Sequence, residues 1–277
     1  MRACVEIFDL DSGRSHVVLD CDRHVEAPNW APSGDWLLVN AEGRLYRIDL
    51  DDPALVALDT GPCITCNNDH GISPDGRQIV LSDHSLGEGS CIHVVDAGGG
   101  DPRRLTDHVP SWWHGWSPDG GTLAYTCVRA GHFGIATLPV DGGDETVLLS
   151  SPHHYDGPDY TPDGQWIWFN SDRAGTMDLW RMKPDGSALE RMTHGASVDW
   201  FPHPSPDGSQ VLFLAYPPGT TGHPFGRHVQ LCLMPAAGGA ARVLLDLFGG
   251  QGTLNVPCWA PDGRRFAFVR YFENDQP

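Results

Sequence analysis

Histidine is the side chain type through which this sequence is best equipped for chemistry, because the chain contains 14 of them. His70 and His114 are each followed by glycine and lie 44 residues apart, and His203 lies 89 residues beyond His114. Neutral imidazole binds divalent transition metals, and it also exchanges protons near neutral pH. The three histidines are therefore candidates for a metal-ligand set or for an acid–base set, provided that the fold brings them together.

Carboxylate, amide and aromatic side chains near the histidines complete this candidate site. The expected catalytic residues are His70, Asp159 and Glu26. The expected ligands of a divalent metal ion, such as Mn²⁺, Zn²⁺ or Ca²⁺, are His70, His114, His203 and Gln251. The expected substrate-binding residues are Asn29, Asn68, Asp69, Trp113, Tyr155, Arg227 and Asn255. Asp156 is a further candidate for an oxygen ligand or a base.

The aromatic residues among these candidates suggest a class of ligand. An aromatic ring stacks on the C–H face of a sugar, while carboxylates and amides hydrogen-bond with the sugar hydroxyls. A carbohydrate or another polyhydroxy acid therefore fits the candidate residues. Tryptophans in a repeated fold also serve as wedges between structural units, and for Trp112 and Trp200 both interpretations stay open.

An internal repeat supplies the elements that must position these residues. Each copy contains a turn sequence such as Ser-Pro-Asp-Gly followed by an apolar strand. The turn prolines are Pro32, Pro74, Pro118, Pro162, Pro206 and Pro261, with successive spacings of 42, 44, 44, 44 and 55 residues. Within one copy the pattern predicts four short antiparallel strands, which is typical of one blade of a β-propeller.

The two ends of the chain complete one another in this scheme. Beyond Pro261 only one strand, at 265–271, is predicted, while the N-terminal segments 5–10 and 15–19 are strand-like and belong to no repeat of their own. We therefore predict an all-β protein, a six-bladed β-propeller of four-stranded antiparallel blades forming a single domain over 1–277. The N-terminal strands complete the last blade, which removes free sheet edges that favour aggregation.

The predicted fold gathers the histidines on one face. In a propeller blade the first strand lines the central channel, and the loops that lead into it share one face, here named the top face, with the loops between the second and third strands. Twelve of the 14 histidines fall on or beside top-face loops, and only His16 and His93 do not. The twelve are His24, His70, His84, His108, His114, His132, His153, His154, His194, His203, His223 and His228. This distribution favours a site at the channel mouth, opposite the Pro-Asp-Gly turns.

The fifth repeat is longer than the others by 11 residues. The pattern assigns the surplus to 217–228, between the second and third strands of that blade. We expect this segment to form either a lid over the channel, with Arg227 as an anion contact, or an ordinary surface insertion.

The repeated Trp/Tyr-Ser/Thr-Pro-Asp-Gly sequence, followed by an apolar strand and Ser-Asp-Arg, resembles the TolB-like propeller repeat over essentially the whole chain. The type of site is also similar to that of the oligogalacturonate lyases. In those propellers, histidines and a glutamine hold a manganese ion that polarises a uronate carboxylate before proton abstraction and β-elimination. The resemblance implies a metal held by His70, His114, His203 and Gln251, with a neighbouring histidine or aspartate as the base.

Two functions are compatible with these observations. The protein is either a metal-dependent, sugar-active enzyme such as a lyase, or a non-catalytic scaffold whose top-face loops bind a protein or peptide. The first predicts a bound metal and a dependence on histidine protonation. The second predicts exposed aromatic residues and neither of those properties.

Composition and short sequence patterns argue against several other kinds of partner and cofactor. A net charge of −18 leaves little basic surface for tracking phosphates, so we expect no nucleic-acid partner. No apolar run approaches the ~18 residues of a membrane span, and the N-terminus lacks the apolar region of a secretory signal, so we expect no membrane partner and a cytoplasmic location. The glycine-rich segment at 96–100 lacks the lysine of a phosphate-binding loop, which argues against a nucleotide cofactor. The eight cysteines are scattered, as expected for free thiols.

Overall fold

The computed structural model of the protein describes residues 2–272, which fold into antiparallel β-sheets joined by turns and loops. Five sheets have four strands each, and the sixth has three strands with a fourth segment attached through a single bridge. This arrangement confirms the predicted all-β, six-bladed propeller. No helix in the described part of the chain has the length and apolarity needed to cross a lipid bilayer.

The strands follow the chain in the order of the blades. Strands β1 (Ala3–Asp9) and β2 (Arg14–Cys21) precede the first blade. Blade 1 contains β3 (Val25–Trp30), β4 (Trp36–Ala41), β5 (Arg44–Asp49) and β6 (Val56–Ala57). Blade 2 contains β7 (Cys66–Ile72), β8 (Gln78–Asp83), β9 (Cys91–Asp96) and β10 (Arg103–Arg104). Blade 3 contains β11 (Ser111–Trp116), β12 (Thr122–Arg129), β13 (His132–Pro139) and β14 (Thr146–Ser150).

The remaining blades continue the same order. Blade 4 contains β15 (Tyr155–Tyr160), β16 (Ile167–Ser171), β17 (Asp178–Met182) and β18 (Glu190–Arg191). Blade 5 contains β19 (Val198–Pro204), β20 (Gln210–Tyr216), β21 (Phe225–Pro235) and β22 (Arg242–Gly250). Blade 6 contains β23 (Arg265–Tyr271) together with β1 and β2, in the order β2-β1-β23.

Blade 6 is closed by both ends of the chain, as the sequence predicts. Strand β1 pairs with β23 from Ala3↔Tyr271 to Asp9↔Arg265, and it pairs with β2 on its other side. The innermost segment of the blade is held by the Trp259–Phe266 bridge and by a hydrogen bond from the Ala267 amide to the Cys258 carbonyl (2.9 Å). The predicted spans of all three strands agree with the structure to within two residues at each end.

The Pro-Asp-Gly turns fold through local hydrogen bonds. In blade 5, the Gly208 amide donates to the Ser205 carbonyl (2.8 Å), and Gly208 has a φ of +70°, a conformation that glycine adopts without strain. The Asp207 carboxylate accepts hydrogen bonds from the Ser205 hydroxyl (2.6 Å) and the Ser209 amide (2.9 Å). These bonds lower the pKa of Asp207 below its ordinary value. Much of the acidic excess of the chain therefore stabilises turns.

Adjacent blades are tied together by one repeat position on their second strands. Asn40 Nδ2 donates to the carbonyls of Cys66 and Asn67 (2.9 and 2.8 Å). At equivalent positions, the Trp113 amide donates to Ser82 Oγ (2.9 Å), and the Phe201 amide donates to Asn170 Oδ1 (3.0 Å). Each bond reaches from one blade to the inner strand of the next, so it fixes the inner strands relative to each other.

The inner strands of blades 1 to 5 all carry an irregularity in their pairing with the second strand. The register shifts lie at Glu26/Asn29, Cys66/His70, Trp113/Gly115, Asp156/Asp159 and Trp200/His203. Ala27 and Phe201 adopt positive φ values of 53° and 55° in two of these bulges, which is uncommon for residues other than glycine. A β-bulge redirects the side chains around it. The bulges therefore decide which inner-strand residues face the channel mouth.

We expect deletion of residues 1–22 to cause self-association. The deletion removes β1 and β2, so β23 becomes an exposed edge strand whose unpaired backbone groups template further pairing. Size-exclusion chromatography with light scattering measures the result. A soluble monomer with an unchanged circular dichroism spectrum would contradict the closure account.

We expect Asp207→Ala to lower the free energy of unfolding by about 1 kcal/mol, because the change removes net hydrogen bonds within one turn. Urea denaturation measures the loss. Asp51→Ala is the matched control, since Asp51 is an exposed loop residue. Equal stability of the two variants would show that the turn aspartates are not structural.

Candidate functional site

A cavity of about 310 Å³ lies at the top-face mouth of the channel. Its lining comes from five blades: β7 of blade 2, β11 to β13 of blade 3, β15 of blade 4, β19 of blade 5 and the 251–255 segment of blade 6. A residue of the loop between β20 and β21 completes the wall. The volume suits one amino-acid side chain or a small molecule.

A buried ion pair crosses from blade 3 to blade 4 at this wall. His114 Nε2 lies 3.0 Å from Asp156 Oδ1, and the side chains are only 3% and 13% exposed. Burial by itself lowers the pKa of His114, but the carboxylates of Asp69 and Asp156 outweigh burial and raise this pKa above its ordinary value. The imidazole of His114 is therefore held toward its charged form.

Asp156 is the most heavily hydrogen-bonded group of the cavity. Its Oδ1 also accepts bonds from Thr126 Oγ1 (2.8 Å) and from the Gly157 amide (2.9 Å). Its Oδ2 lies 3.5 Å from His154 Nε2. Burial favours the neutral acid, but hydrogen bonds from His114 and His154 hold the pKa of Asp156 well below its usual range. Asp156 is thus a fixed negative charge inside the cavity wall.

Asp69 is the second carboxylate of the cavity, and its pKa is raised, whereas that of Asp156 is lowered. Burial, opposed by His114 but reinforced by Asp156 and Glu26, raises the pKa of Asp69 to about 7. One hydrogen bond from Asn67 Nδ2 (2.7 Å) reaches its Oδ2. Asp69 therefore exchanges a proton near neutral pH, beside an imidazole whose pKa is raised. This pairing is what general acid–base chemistry or pH-dependent binding requires.

The surplus residues of blade 5 partly cover the cavity. They are divided between the 217–224 loop and the longer strands β21 and β22. From the loop, His223 enters the cavity wall, with its ring centroid 4.4 Å from that of Trp200 and 5.2 Å from that of Phe201. Its Nδ1 is hydrogen-bonded to Gln251 Oε1. Burial lowers the pKa of His223.

Aromatic rings form another part of the cavity wall. Trp112 and Phe133 stack with centroids 6.4 Å apart, and Phe133 lies 4.1 Å from the ring of His154. The neighbouring Trp113 is fully buried and does not line this cavity. A Cβ at Gly71 would lie 2.1 Å from the Trp113 ring, so Trp113 is a wedge between blades 2 and 3, and glycine follows His70 because the indole fills that space.

The predicted metal ligands occupy equivalent inner strands but have separate partners. His114 and Gln251 line the cavity, whereas His70 and His203 do not. His203 Nδ1 lies 3.1 Å from Asp159 Oδ2, and its Nε2 lies 3.4 Å from the Leu254 carbonyl. His70 is fully buried, and burial lowers its pKa to about 4 against the opposing effect of backbone groups of Ala27, Leu38 and Asn67. Among the described residues, no hydrogen bond of standard geometry reaches either of its ring nitrogens.

The four residues are not gathered into one donor set of the kind that the lyase resemblance implies. His114 Nε2 and His203 Nδ1 each face a carboxylate of a neighbouring strand, and Gln251 Oε1 accepts from His223 and Asn255. Within residues 2–272 no group of three His, Cys, Asp or Glu side chains is arranged to hold a metal ion. The assignment of His70, His114, His203 and Gln251 as metal ligands therefore stays a prediction without support from this geometry.

The other predicted site residues divide into two groups. Asn68, Asp69 and Asn255 line the cavity, as expected. Asn255 Oδ1 accepts from the Gly252 amide (2.7 Å), which shapes the 251–255 segment. Glu26 lies beside the cavity, where its Oε1 is 3.2 Å from His24 Nε2 and 3.4 Å from Asn68 Nδ2.

Four predicted residues lie away from the cavity lining. Asn29 joins three blades, donating to the Pro257 carbonyl (2.6 Å) and accepting from the Ile72 amide (2.8 Å). Tyr155 is buried against Phe169 and shares a hydrogen bond with Ser151. Asp159 pairs with His203, and burial raises its pKa. Arg227 is exposed on β21.

Several lining residues were absent from the predicted set, namely Asn67, Thr126, Phe133, His154, Phe201 and His223. Of the two tryptophans for which both interpretations were open, Trp112 lines the cavity, whereas Trp200 is buried and does not. Thr126 had a detectable signal, because it occupies the same repeat position as Asn40, Ser82 and Asn170. His154 and His223 were recognised only as top-face histidines. Phe133 enters from a hairpin, and nothing in the repeat marks it.

The fold and the cavity together define a six-bladed propeller with a ligand-sized site at its channel mouth. Residues 109–276 match the family model of the TolB beta propeller domain. The chain therefore belongs to the TolB β-propeller domain family.

Two relatives and one neighbour in fold are similar to this chain. A solved structure of a candidate TolB from Agrobacterium tumefaciens is 48% identical, covers 99% of both chains and superposes with a TM-score of 0.97. The Tol-Pal system protein TolB of Francisella tularensis is 23% identical over 219 residues, which are 76% of this chain and 50% of that protein. The chain thus spans about half the length of that relative. An oligogalacturonate lyase in complex with manganese shares the fold at 15% identity and a TM-score of 0.57, over 88% of this chain and 67% of the lyase.

We expect His70→Leu to be tolerated and to reduce acid sensitivity. The buried His70 has a folded-state pKa of about 4, below the 6.5 of a free histidine, so the unfolded state takes up its proton as the pH falls from about 6.5 toward 4. Wild type therefore loses stability as the pH falls through this range, and the variant lacks this source of acid destabilisation. As the pH is lowered from 7 to 5, the melting temperature of His70→Leu should therefore rise relative to that of wild type. His16→Leu, at an exposed position of β2, is the control. Strong destabilisation of His70→Leu already at pH 8 would reveal an essential polar partner of His70.

Proposed function

We propose that this protein is a recognition propeller that binds a protein partner at the channel mouth, with one side chain of the partner inserted into the cavity. The observation that carries the proposal is the cavity itself, in which buried carboxylates, imidazoles, amides and aromatic rings from five blades converge on about 310 Å³. Polar groups that converge beside aromatic rings in one concave cavity are typical of ligand sites. The volume fits a single side chain better than an extended chain.

The surroundings of the cavity support a macromolecular partner. The top face carries long loops and exposed apolar residues, such as Leu86, which is 53% exposed between β8 and β9. The family relationship supports the same interpretation, because the Francisella relative is named as a component of the Tol-Pal system. A partner seated across the loops would bury the exposed apolar surface around the inserted side chain.

A sugar-active lyase is the second candidate function. The observation that favours it is the combination of Asp69, whose pKa of about 7 permits proton transfer, with the raised pKa of His114 and the aromatic wall. The charge of the cavity is unfavourable for a uronate substrate, because neither Lys nor Arg is among the described lining residues and two carboxylates are. Ultraviolet absorbance of the unsaturated product, with oligogalacturonate and added Mn²⁺, tests this candidate.

Site-specific photo-cross-linking tests the recognition function. A benzophenone amino acid replaces Thr221 at the rim of the cavity in one variant and Arg77 on the opposite face in another, both at exposed positions. In cells of the source organism we expect a discrete adduct from the Thr221 position and none from the Arg77 position. The adduct should be lost when Trp112→Ala is added, because that change removes part of the cavity wall.

Two results would overturn the proposal. The first is equal labelling from the two faces, and the second is labelling at Thr221 that is indifferent to Trp112→Ala. Circular dichroism and the melting temperature of each variant establish that the propeller is intact before the comparison is made.

A further inference from the structure

The charges at the cavity are unequally distributed. Among the described lining residues there are two carboxylates, Asp69 and Asp156, and no Lys or Arg. The polar remainder consists of amides, one hydroxyl and three imidazoles. Burial lowers the pKa of His223, so this imidazole is predominantly neutral at pH 7. His114 is held toward its charged form and is paired with Asp156, so Asp69 is the carboxylate that a positively charged ligand can neutralise. The cavity therefore favours a ligand with positive charge over one with negative charge.

The aromatic lining favours the same kind of ligand. The rings of Trp112 and Phe133 stack in one part of the wall, and Phe201 lies stacked on His114 with centroids 6.1 Å apart. Aromatic faces attract cations through their quadrupole, most strongly where water is excluded. They also pack against the methylene stem of a long side chain. A flexible amine with an apolar stem satisfies both parts of the wall.

We propose that the side chain recognised by the cavity is a lysine of the partner, whose ammonium group pairs with the carboxylate of Asp69 while its methylene stem packs against the aromatic wall. This inference rests on the proposed recognition function and specifies its ligand. Asp69, rather than Asp156, is the anionic anchor. Asp156 is already paired with His114 and accepts from Thr126 and Gly157, whereas Asp69 accepts one side-chain hydrogen bond, from Asn67.

Calorimetric titration with three matched probes tests the inference. The probes are Nα-acetyl-lysine N-methylamide, its neutral counterpart Nα-acetyl-norleucine N-methylamide, and galacturonate as the anionic sugar. We expect the lysine probe alone to bind measurably. Asp69→Asn should weaken its binding by about tenfold or more, because a hydrogen bond between charged groups is lost.

Controls separate the cavity from the general negative charge of the protein. Asp52→Asn changes the net charge by the same amount at an exposed loop position, and it should leave the affinity unchanged. Trp112→Leu keeps both carboxylates and should weaken the lysine probe through the lost aromatic face. If Asp69→Asn does not fold, the preference of wild type among the three probes and the Trp112→Leu variant still decide the question.

The outcomes distinguish this inference from the recognition function on which it rests. Equal affinity for the lysine and norleucine probes, preference for galacturonate, or equal effects of Asp69→Asn and Asp52→Asn would each overturn the lysine assignment. Cavity-dependent cross-linking at Thr221 without binding of the lysine probe would leave a recognition site with a different ligand. Lysine binding without cross-linking would support the amine site and count against a protein partner.

Discussion

The buried ion pair between His114 and Asp156 is the interaction on which the candidate site depends. A carboxylate taken out of water is costly unless it is paired and fully hydrogen-bonded, and removing one partner of such a pair typically destabilises a protein by about 3–5 kcal/mol. Asp156 meets this requirement with donors from three strands: His114 of β11, Thr126 of β12 and the Gly157 amide of β15. The pair therefore persists only if blades 3 and 4 hold a fixed position relative to each other. The pair also acts on Asp69, whose pKa burial raises to about 7: His114 opposes this rise and Asp156 reinforces it.

The propeller meets that positional requirement through repeated local devices. Side chains at one repeat position, Asn40, Ser82 and Asn170, connect the second strands of blades 1, 2 and 4 to the inner strand of the next blade. Pairing of β1 with β23 closes blade 6 and with it the ring of blades, which fixes the position of each blade relative to the next. Bulges in the inner strands then direct individual residues into the cavity or away from it. The positive φ of Phe201 shows that some of this direction is maintained against local backbone preference.

The sequence was sufficient for the fold and for part of the site. Turn chemistry and hydrophobic alternation recur in phase in every repeat, so blade number and the closing strands could be predicted directly. Of the predicted site residues, Asn68, Asp69, His114, Gln251 and Asn255 line one cavity. Equivalent repeat positions do not guarantee equivalent surroundings. His203 pairs with Asp159 and His70 is enclosed by its neighbours, because bulges and the Trp113 wedge alter which side of the strand faces the channel. Phe133 and His223 come from a hairpin and an insertion, whose paths depend on tertiary contacts outside the repeat.

The central claim is that carboxylates from neighbouring blades control the protonation of the cavity imidazole. Nuclear magnetic resonance titration of the His114 ring, in wild type and in Asp156→Asn, measures this most directly. The account predicts that the pKa of His114 in wild type lies above that of a free histidine, because Asp69 and Asp156 outweigh the opposing effect of burial. In Asp156→Asn the pKa should fall, since burial then meets one carboxylate fewer. A His114 pKa that lies at or below the free value in wild type, or that does not change when Asp156 is replaced, would contradict the account.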